Sequence, residues 1–396
     1  MASRFKSFNR CDLFVVIWSL YMLQAILYPI GIINRILQLV MILWGVIVTC
    51  RYLLNFSRLP RFLNATFVLI LMYIIYGVIH MIFGTPVISK YGFSASSNYV
   101  YLQASLNSLL PIFVFYDFTK KGLLTEDRIK KYLFLFLIVF ILLFVHNSLS
   151  LMQEDKQEEN TNNIAYMFVT LVPFVYFYYK KPLLQYIIIL TLSVFVILGV
   201  KRGAILVFLV SVVYFLFAKL KTGSNKKTVN VLLAAMLLLF AISFVQYRLA
   251  VSEYLNLRIE QTAEGSTSGR DILYKAIWNE VSQETNLLTF IFGRGANSTI
   301  GIAGNYAHND WLETLCNNGA LGAVILGYFF LVLFKLLFVV KRNLPSYYFD
   351  SFFTLFLIVS MKSVFSMSIQ NMEISTTMLL GYIVYKSLHE KQMCAS

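Results

Sequence analysis

Charge is what this sequence has least of. Only 13% of its 396 residues are Asp, Glu, Lys or Arg, and 7 are proline; a water-exposed domain surface ordinarily draws on about twice that share of charge. Acidic residues are especially few, 19 against 33 Lys and Arg. Cysteine is scarce as well. Cys11, Cys50, Cys316 and Cys394 stand far apart and form no CxxC pair, which leaves no disulfide framework and no thiolate metal site. What fills the chain instead is apolar: 59% hydrophobic residues and a mean hydropathy of +0.71, more than a soluble core can hide. These shortages exclude a soluble globular domain and point to an integral membrane protein.

Apolar stretches of about 18 or more residues recur from end to end, long enough to cross a bilayer as helices, so helices rather than a barrel satisfy the backbone. The expected fold is an all-α polytopic membrane protein. About twelve spans are read at 12–30, 34–50, 62–84, 98–118, 131–152, 163–179, 183–200, 203–220, 229–248, 320–340, 349–368 and 374–388. The first follows a basic start, "MASRFKSFNR", but is too long for a signal peptide and has no small-x-small cleavage site, so it is read as retained. An even count puts both termini on one side. Positive charges crowd the N-terminus (Arg4, Lys6, Arg10) and alternate connections, including Arg51, Arg58 and Arg61, Lys120 to Lys131, Lys180 and Lys181, Lys219 to Lys227, and Lys341 and Arg342. The positive-inside rule makes that side cytoplasmic. The net charge of +14 is therefore a topology signal, and no nucleic-acid partner is expected.

This reading divides the chain into spans one to nine (1–248), one large outside loop (249–319) and spans ten to twelve (320–396). A connection of roughly seventy residues is far above the usual length and suggests function. Within it, "RDILYKAIWNEVSQE" (270–284) places Ile272, Leu273, Ala276, Ile277 and Val281 on one face at helical spacing. Ser268, three residues before Asp271, is placed like a capping box. Gly293, Arg294 and Gly295 after the apolar "LLTFIF" read as a glycine-rich turn. Further on, Asn317, Asn318 and Gly319 look like a helix stop, which would divide a short helix at 309–316 from a span at 320–340; one continuous helix is the alternative. Either way Gly319 and Gly322 offer a small-residue surface for close packing of another helix.

Three polar features on the outside could carry chemistry. Lys201 and Arg202 occupy a short outside turn against the positive-inside trend; they are either snorkelling helix-end side chains or a site for phosphate, which an arginine fork matches. Arg270 opens the loop helix, either as a solvated charge or as an anion site reinforced by the helix N-terminus. His308 is either a structural histidine or a general base suited to neutral pH. Asp310 and Glu313, beside it, are either a cation site or, the reading preferred, a solvated helix face without a metal. Lys362 is the clearest intramembrane charge.

The passage His308, Asn309, nine residues, Gly319, Ala320, Leu321, Gly322 resembles the H-[NSQ]-x9-G-x-x-G signature of the bacterial O-antigen ligase superfamily, which also contains O-antigen and capsule polymerases. Arg202 to Leu206 is similar to its R-x-x-x-L element, and "SGRDILYKAIW" to its loop arginine leading into a helix. The resemblance is strongest over 195–325. It implies a GT-C-like glycosyltransferase of lipopolysaccharide or surface polysaccharide biosynthesis in the bacterial inner membrane, with its site facing the periplasm. The implied donor is an undecaprenyl diphosphate-linked oligosaccharide, the acceptor lipid A core or another glycan, and no cofactor is implied. Carried over, Arg202 and Arg270 would stabilise the leaving diphosphate, Lys201, Asn309 and Arg294 would bind substrate, and His308 would act on the acceptor hydroxyl, with the loop helix closing over the donor. A repeat-unit polymerase shares the donor chemistry. From a different class, a transporter or flippase would suit twelve spans, but no inverted repeat or pair of broken spans is visible.

Overall fold

A computed structural model describes residues 8–27, 31–54, 59–84, 100–153, 161–221, 227–251, 260 and 269–390. Among them the chain is helical without a strand. Five long helices come first: α1 (Arg10–Leu27), α2 (Gly31–Leu53), α3 (Arg61–Phe83), α4 (Val100–Lys120) and α5 (Glu126–Gln153). The next apolar stretch is broken into α6 (Ala165–Val169), α7 (Val172–Val175) and a 3₁₀ turn, Tyr176–Tyr178. Then follow α8 (Pro182–Leu198), α9 (Arg202–Lys221), α10 (Lys227–Val251) and three loop helices, α11 (Arg270–Ser282), α12 (Leu287–Phe292) and α13 (Ser298–Ala303). The chain closes with α14 (Asp310–Asn343), α15 (Ser346–Phe365) and α16 (Ile374–His389).

Helix thus occupies each of the twelve stretches read as spans. Among the described residues 6 helices are long and apolar enough to cross a membrane: α2, α3, α5 (over Glu126–Ser150), α9, α14 and α15. The others differ for identifiable reasons. Pro173, near the start of α7, supplies no backbone N–H and interrupts the ladder of the 165–178 stretch, so the span read at 163–179 is a broken one. α4 and α16 are more polar and lie inside the bundle; nearly all of α16 is buried. Their close crossing depends on Gly381, whose added Cβ would come within 2.7 Å of the Ile112 carbonyl oxygen and the Tyr116 amide of α4. Helices shielded by protein do not need lipid-grade hydropathy.

The lipid-exposed perimeter carries large apolar side chains such as Ile36 and Leu39 on α2, Ile79 on α3, Ile138 on α5 and Leu209 and Val213 on α9. The two ends of the bundle differ. At one, Arg128 pairs with Asp12, Tyr347 donates to Glu126, Asn343 donates to the Ser387 carbonyl, and Tyr214 donates to Asp350. The starts of α1, α5 and α15 and the end of α16 meet there, so the described beginnings and ends of the chain share one end with the basic connections. The opposite end gathers the loop helices, the 199–203 turn and the 366–373 connection.

Candidate active site at the loop end

α8 stops at Gly199, whose carbonyl accepts the Asn162 amide at 2.9 Å. Val200 then adopts φ +48°, a left-handed conformation that a β-branched residue rarely takes and that is held only when the surroundings fix it. This turn delivers Lys201 and makes Arg202 the first residue of α9, both half-buried. Gly203 follows because nothing larger fits: a Cβ there would lie 2.1 Å from the Tyr166 hydroxyl. Asn162 holds the start of α6, which carries Tyr166: its amide donates to the Phe144 carbonyl and to Ser148 while its oxygen accepts the Ile164 amide. The Lys362 ammonium stands 5.7 Å from the Tyr166 ring centroid, and Arg270 is within electrostatic reach of the hydroxyl. Lys362 is buried and paired with Glu373 at 3.4 Å.

Arg270 enters from the loop. α11 begins after Gly269 (φ +77°) without a side-chain cap; Ser268, read as its capping residue, lies outside the described residues. The Arg270 Nη1 donates to the Phe365 carbonyl at 2.6 Å, which ties the helix start to the end of α15. Ile277, Tyr274 and Val281 face Ala307, Cys316, Ile302, Ala303 and Leu312. Ile272, expected on that buried face, points outward, because the stripe that meets the bundle runs one residue later.

His308 lies within electrostatic reach of Arg270 and Lys201. Its pKa is pushed down to about 4, first by burial and then by the charges of Arg270 and Lys201. Lys201, Arg270 and His308, remote in sequence, are therefore neighbours, and the imidazole stays neutral across ordinary pH. His308 has φ +52°, a second strained residue at this end of the molecule. Asn309 next to it is the N-cap of α14, its oxygen accepting the Trp311 and Leu312 amides at 2.9 and 3.1 Å.

Asp310 and Glu313 correct the sequence reading. Both are only 2% exposed, not a solvated face. Asp310 accepts the Ser368 and Ile369 amides at 2.7 and 3.0 Å; Glu313 accepts the Ala307 amide, the Thr299 hydroxyl at 2.7 Å and the Asn317 amide at 3.2 Å. The 366–373 connection and α13 cover this face, which no wheel of a single helix can foresee. The two carboxylates fix the backbone on either side of His308. Among the described residues no three His, Cys, Asp or Glu side chains converge as a metal site.

Gly319 breaks α14 at φ 67°, ψ −167°, so the helix stop is present although helix continues on both sides. It receives the last turn of α12 and the glycine turn that follows. The backbone of the loop crosses there: a Cβ on Gly319 would lie 2.4 Å from the Gly293 nitrogen and the Ile291 oxygen, and Gly293 is blocked reciprocally by Gly319 and Asn317. Gly322 faces Thr314 and Asn318 of its own helix, with an added Cβ 3.1 Å from the Thr314 methyl. Arg294 is not brought to His308. Its guanidinium binds Glu280 at 2.8 Å and Glu284 at 2.6 Å, stapling α11 to the glycine turn. Leu206 faces outward on α9. The site residues that sequence reasoning passed over are Tyr166, Glu313 and Asp310; the tight Gly203 beside Arg202 was the one hint of Tyr166.

Residues 187–327 match the family model described as O-Antigen ligase. The matched stretch contains Lys201, Arg202, Arg270, Arg294, His308, Asn309, Gly319 and Gly322. Comparison with curated proteins gives no match.

Proposed function

We propose, from the match of residues 187–327 to the O-Antigen ligase family model and from the geometry of this site, that this membrane enzyme transfers a glycan from a polyprenyl diphosphate-linked donor to an acceptor hydroxyl at the periplasmic face. The acceptor oxygen attacks the anomeric carbon, the bond from that carbon to the phosphate oxygen breaks, and the lipid diphosphate departs with the electron pair. The acceptor proton passes to the neutral imidazole of His308. Arg270, Arg202 and Lys201 offset the negative charge that grows on the departing phosphate, arginine binding it by two parallel donors where lysine acts as a point charge. The observation that carries the reading is that Lys201, Arg270 and His308, remote in sequence, are brought to one end of the bundle, both cations within electrostatic reach of the histidine. An anionic leaving group and a proton acceptor need that pairing; a cation held next to a protonated histidine would not serve. Tyr166, in reach of Arg270, orients that guanidinium, and Arg294 keeps α11 docked.

Ligase and repeat-unit polymerase share this donor chemistry and differ in the acceptor. The purified chain reconstituted in vesicles with a polyprenyl diphosphate-linked repeat unit separates them. Transfer only onto added lipid A core identifies a ligase, and a ladder formed without it a polymerase. A folded protein that consumes the donor under neither condition contradicts the proposal.

The depressed pKa of His308 has a kinetic signature. A base must be deprotonated, so kcat/KM holds as pH falls below 6.5 and declines only as pH approaches about 4. Lys201→Met removes a positive charge that opposes protonation; the acid limb then moves up toward the ordinary histidine value near 6.5. pH–rate profiles of the two proteins check this. A wild-type limb already at 6.5, unmoved by Lys201→Met, would remove His308 from the proton transfer.

A further inference from the structure

The segment Leu287–Phe292, with sequence LLTFIF, is unlike the rest of the loop. Gln283, Glu284, Thr285 and Asn286 before it are polar, whereas the helix has no charged residue and exposes Leu287 (68%), Leu288 (66%), Phe290 and Phe292. Its contacts are with helices read as spans. The Tyr76 hydroxyl of α3 donates to the Phe292 carbonyl, and the turn that follows lies against the break in α14.

Tyr76 is seven residues from the end of α3 at Phe83, or about 10 Å at 1.5 Å per residue. The Phe292 end of the segment therefore meets α3 about two turns inside its terminus, and the chain turns there at Gly293–Gly295. Beside it on α3, Ile75, Ile79, Ile82 and Phe83 are exposed, so the apolar faces are continuous.

The backbone is paired as an environment without water requires. Asn286 caps the helix through the Leu288 and Thr289 amides. At the break at Gly319 the Cys316 carbonyl accepts the Arg294 amide and the Asn317 carbonyl the Gly295 amide, each at 3.0 Å, while the Asn318 carbonyl shares with Phe292 the single proton of the Tyr76 hydroxyl. Irregular backbone is tolerated at membrane depth only when protein satisfies it in this way. Arg294, in that turn, pairs its guanidinium with Glu280 and Glu284, so the turn adds no uncompensated charge to the apolar face.

We propose that Leu287–Phe292 is a re-entrant segment inserted among the lipid acyl chains of the leaflet on the loop side, its exposed face covered by lipid rather than by water or by another protein. This rests on the spans and the loop geometry and is independent of the reaction assigned to the site. Nitroxide labels placed singly at Leu287→Cys and Leu288→Cys, in the full chain with its other cysteines replaced and reconstituted in vesicles, read the environment through collision with oxygen and with a water-soluble nickel chelate. Ile79→Cys on α3 and Lys275→Cys on α11 supply the lipid and water references. Insertion predicts oxygen collision and chelate protection within about twofold of the Ile79 label at both positions. Chelate access equal to that at Lys275 overturns the proposal in favour of water, and protection from both reagents overturns it in favour of a protein partner.

Discussion

Replacing Arg270 with alanine is expected to slow glycan transfer by roughly 100- to 1,000-fold while the protein stays folded. The magnitude is that of removing one pre-placed donor from a developing anion. The fold survives because α11 is held elsewhere, by Ile277 against Ala307 and Cys316 and by the Arg294 clamp on Glu280 and Glu284. The loss falls mainly on kcat, since the charge that Arg270 meets is greater in the transition state than in the bound donor. Arg270→Lys retains the charge but not the fork, and its Nη1 bond to the Phe365 carbonyl is not reproduced by a flexible ammonium. Its rate is expected to lie between wild type and alanine. Initial rates in vesicles, beside thermal unfolding of each variant, separate a chemical loss from a structural one; equal rates for wild type and Arg270→Ala would remove Arg270 from the reaction.

Gly319→Ala is expected to destabilise the protein by roughly 3 kcal/mol or more and to abolish transfer through collapse of the loop dock. Its φ of 67° with ψ near 180° is a region that only glycine enters freely, a cost of about 1–3 kcal/mol for other residues. The new methyl would also meet the Gly293 nitrogen and the Ile291 oxygen at 2.4 Å. Those are backbone atoms, which cannot rotate away, so the 291–295 turn must leave and the bonds from Arg294 and Gly295 to the kink carbonyls are lost. Gly301→Ala is the contrasting substitution: nothing lies within 4 Å of its added Cβ, φ is not positive, and it sits inside α13. Helix propensity makes it neutral or stabilising by up to about 1 kcal/mol. Thermal unfolding in detergent and protease cleavage near 291–295 distinguish the two; a Gly319→Ala protein as stable and protease-resistant as wild type would refute the dock.

The effects of these two substitutions differ in how visible they are in the sequence. Arg270 and His308 stand out because polar residues are rare here, and the motif spacing of His308 to Gly319 and Gly322 carries the family resemblance. That Lys201 lies within their electrostatic reach is a matter of topology, since the 199–203 turn and the 366–373 connection reach the same end of the bundle. Long apolar runs announce α2, α3, α5 and α9 directly. The 163–179 run reads equally apolar, yet Pro173 breaks it. Asp310 and Glu313 look like an exposed helix face because periodicity describes one helix at a time; their partners, the Ser368 and Ile369 amides and Thr299, come from other parts of the chain. Arg294 reads as a ligand-binding cation until its two glutamates, ten and fourteen residues earlier, are seen to occupy it. Hydropathy and rarity were legible; the pairing of buried polar groups was not.

The placement of charge also bears on how such a site works in a membrane. Lys201, Arg202 and Arg270 are supplied by helix starts and turns at the loop end, not by the middle of spans, so no bare cation is buried in hydrocarbon. Lys362, the buried lysine among the described residues, has Glu373 and the Asn371 carbonyl as partners. In the proposed reaction, the phosphates of a lipid-linked diphosphate at the membrane surface would meet these cations, and His308 would face an acceptor arriving from the aqueous side.

The most direct test of the central assignment is a single-turnover measurement on the reconstituted chain with a labelled polyprenyl diphosphate-linked oligosaccharide and acceptor, following free lipid diphosphate and glycosylated acceptor together. Wild type is predicted to release one lipid diphosphate for each glycosidic bond formed, and folded His308→Ala to bind the donor yet form product at least a hundredfold more slowly. Product formation by His308→Ala at the wild-type rate would contradict the account.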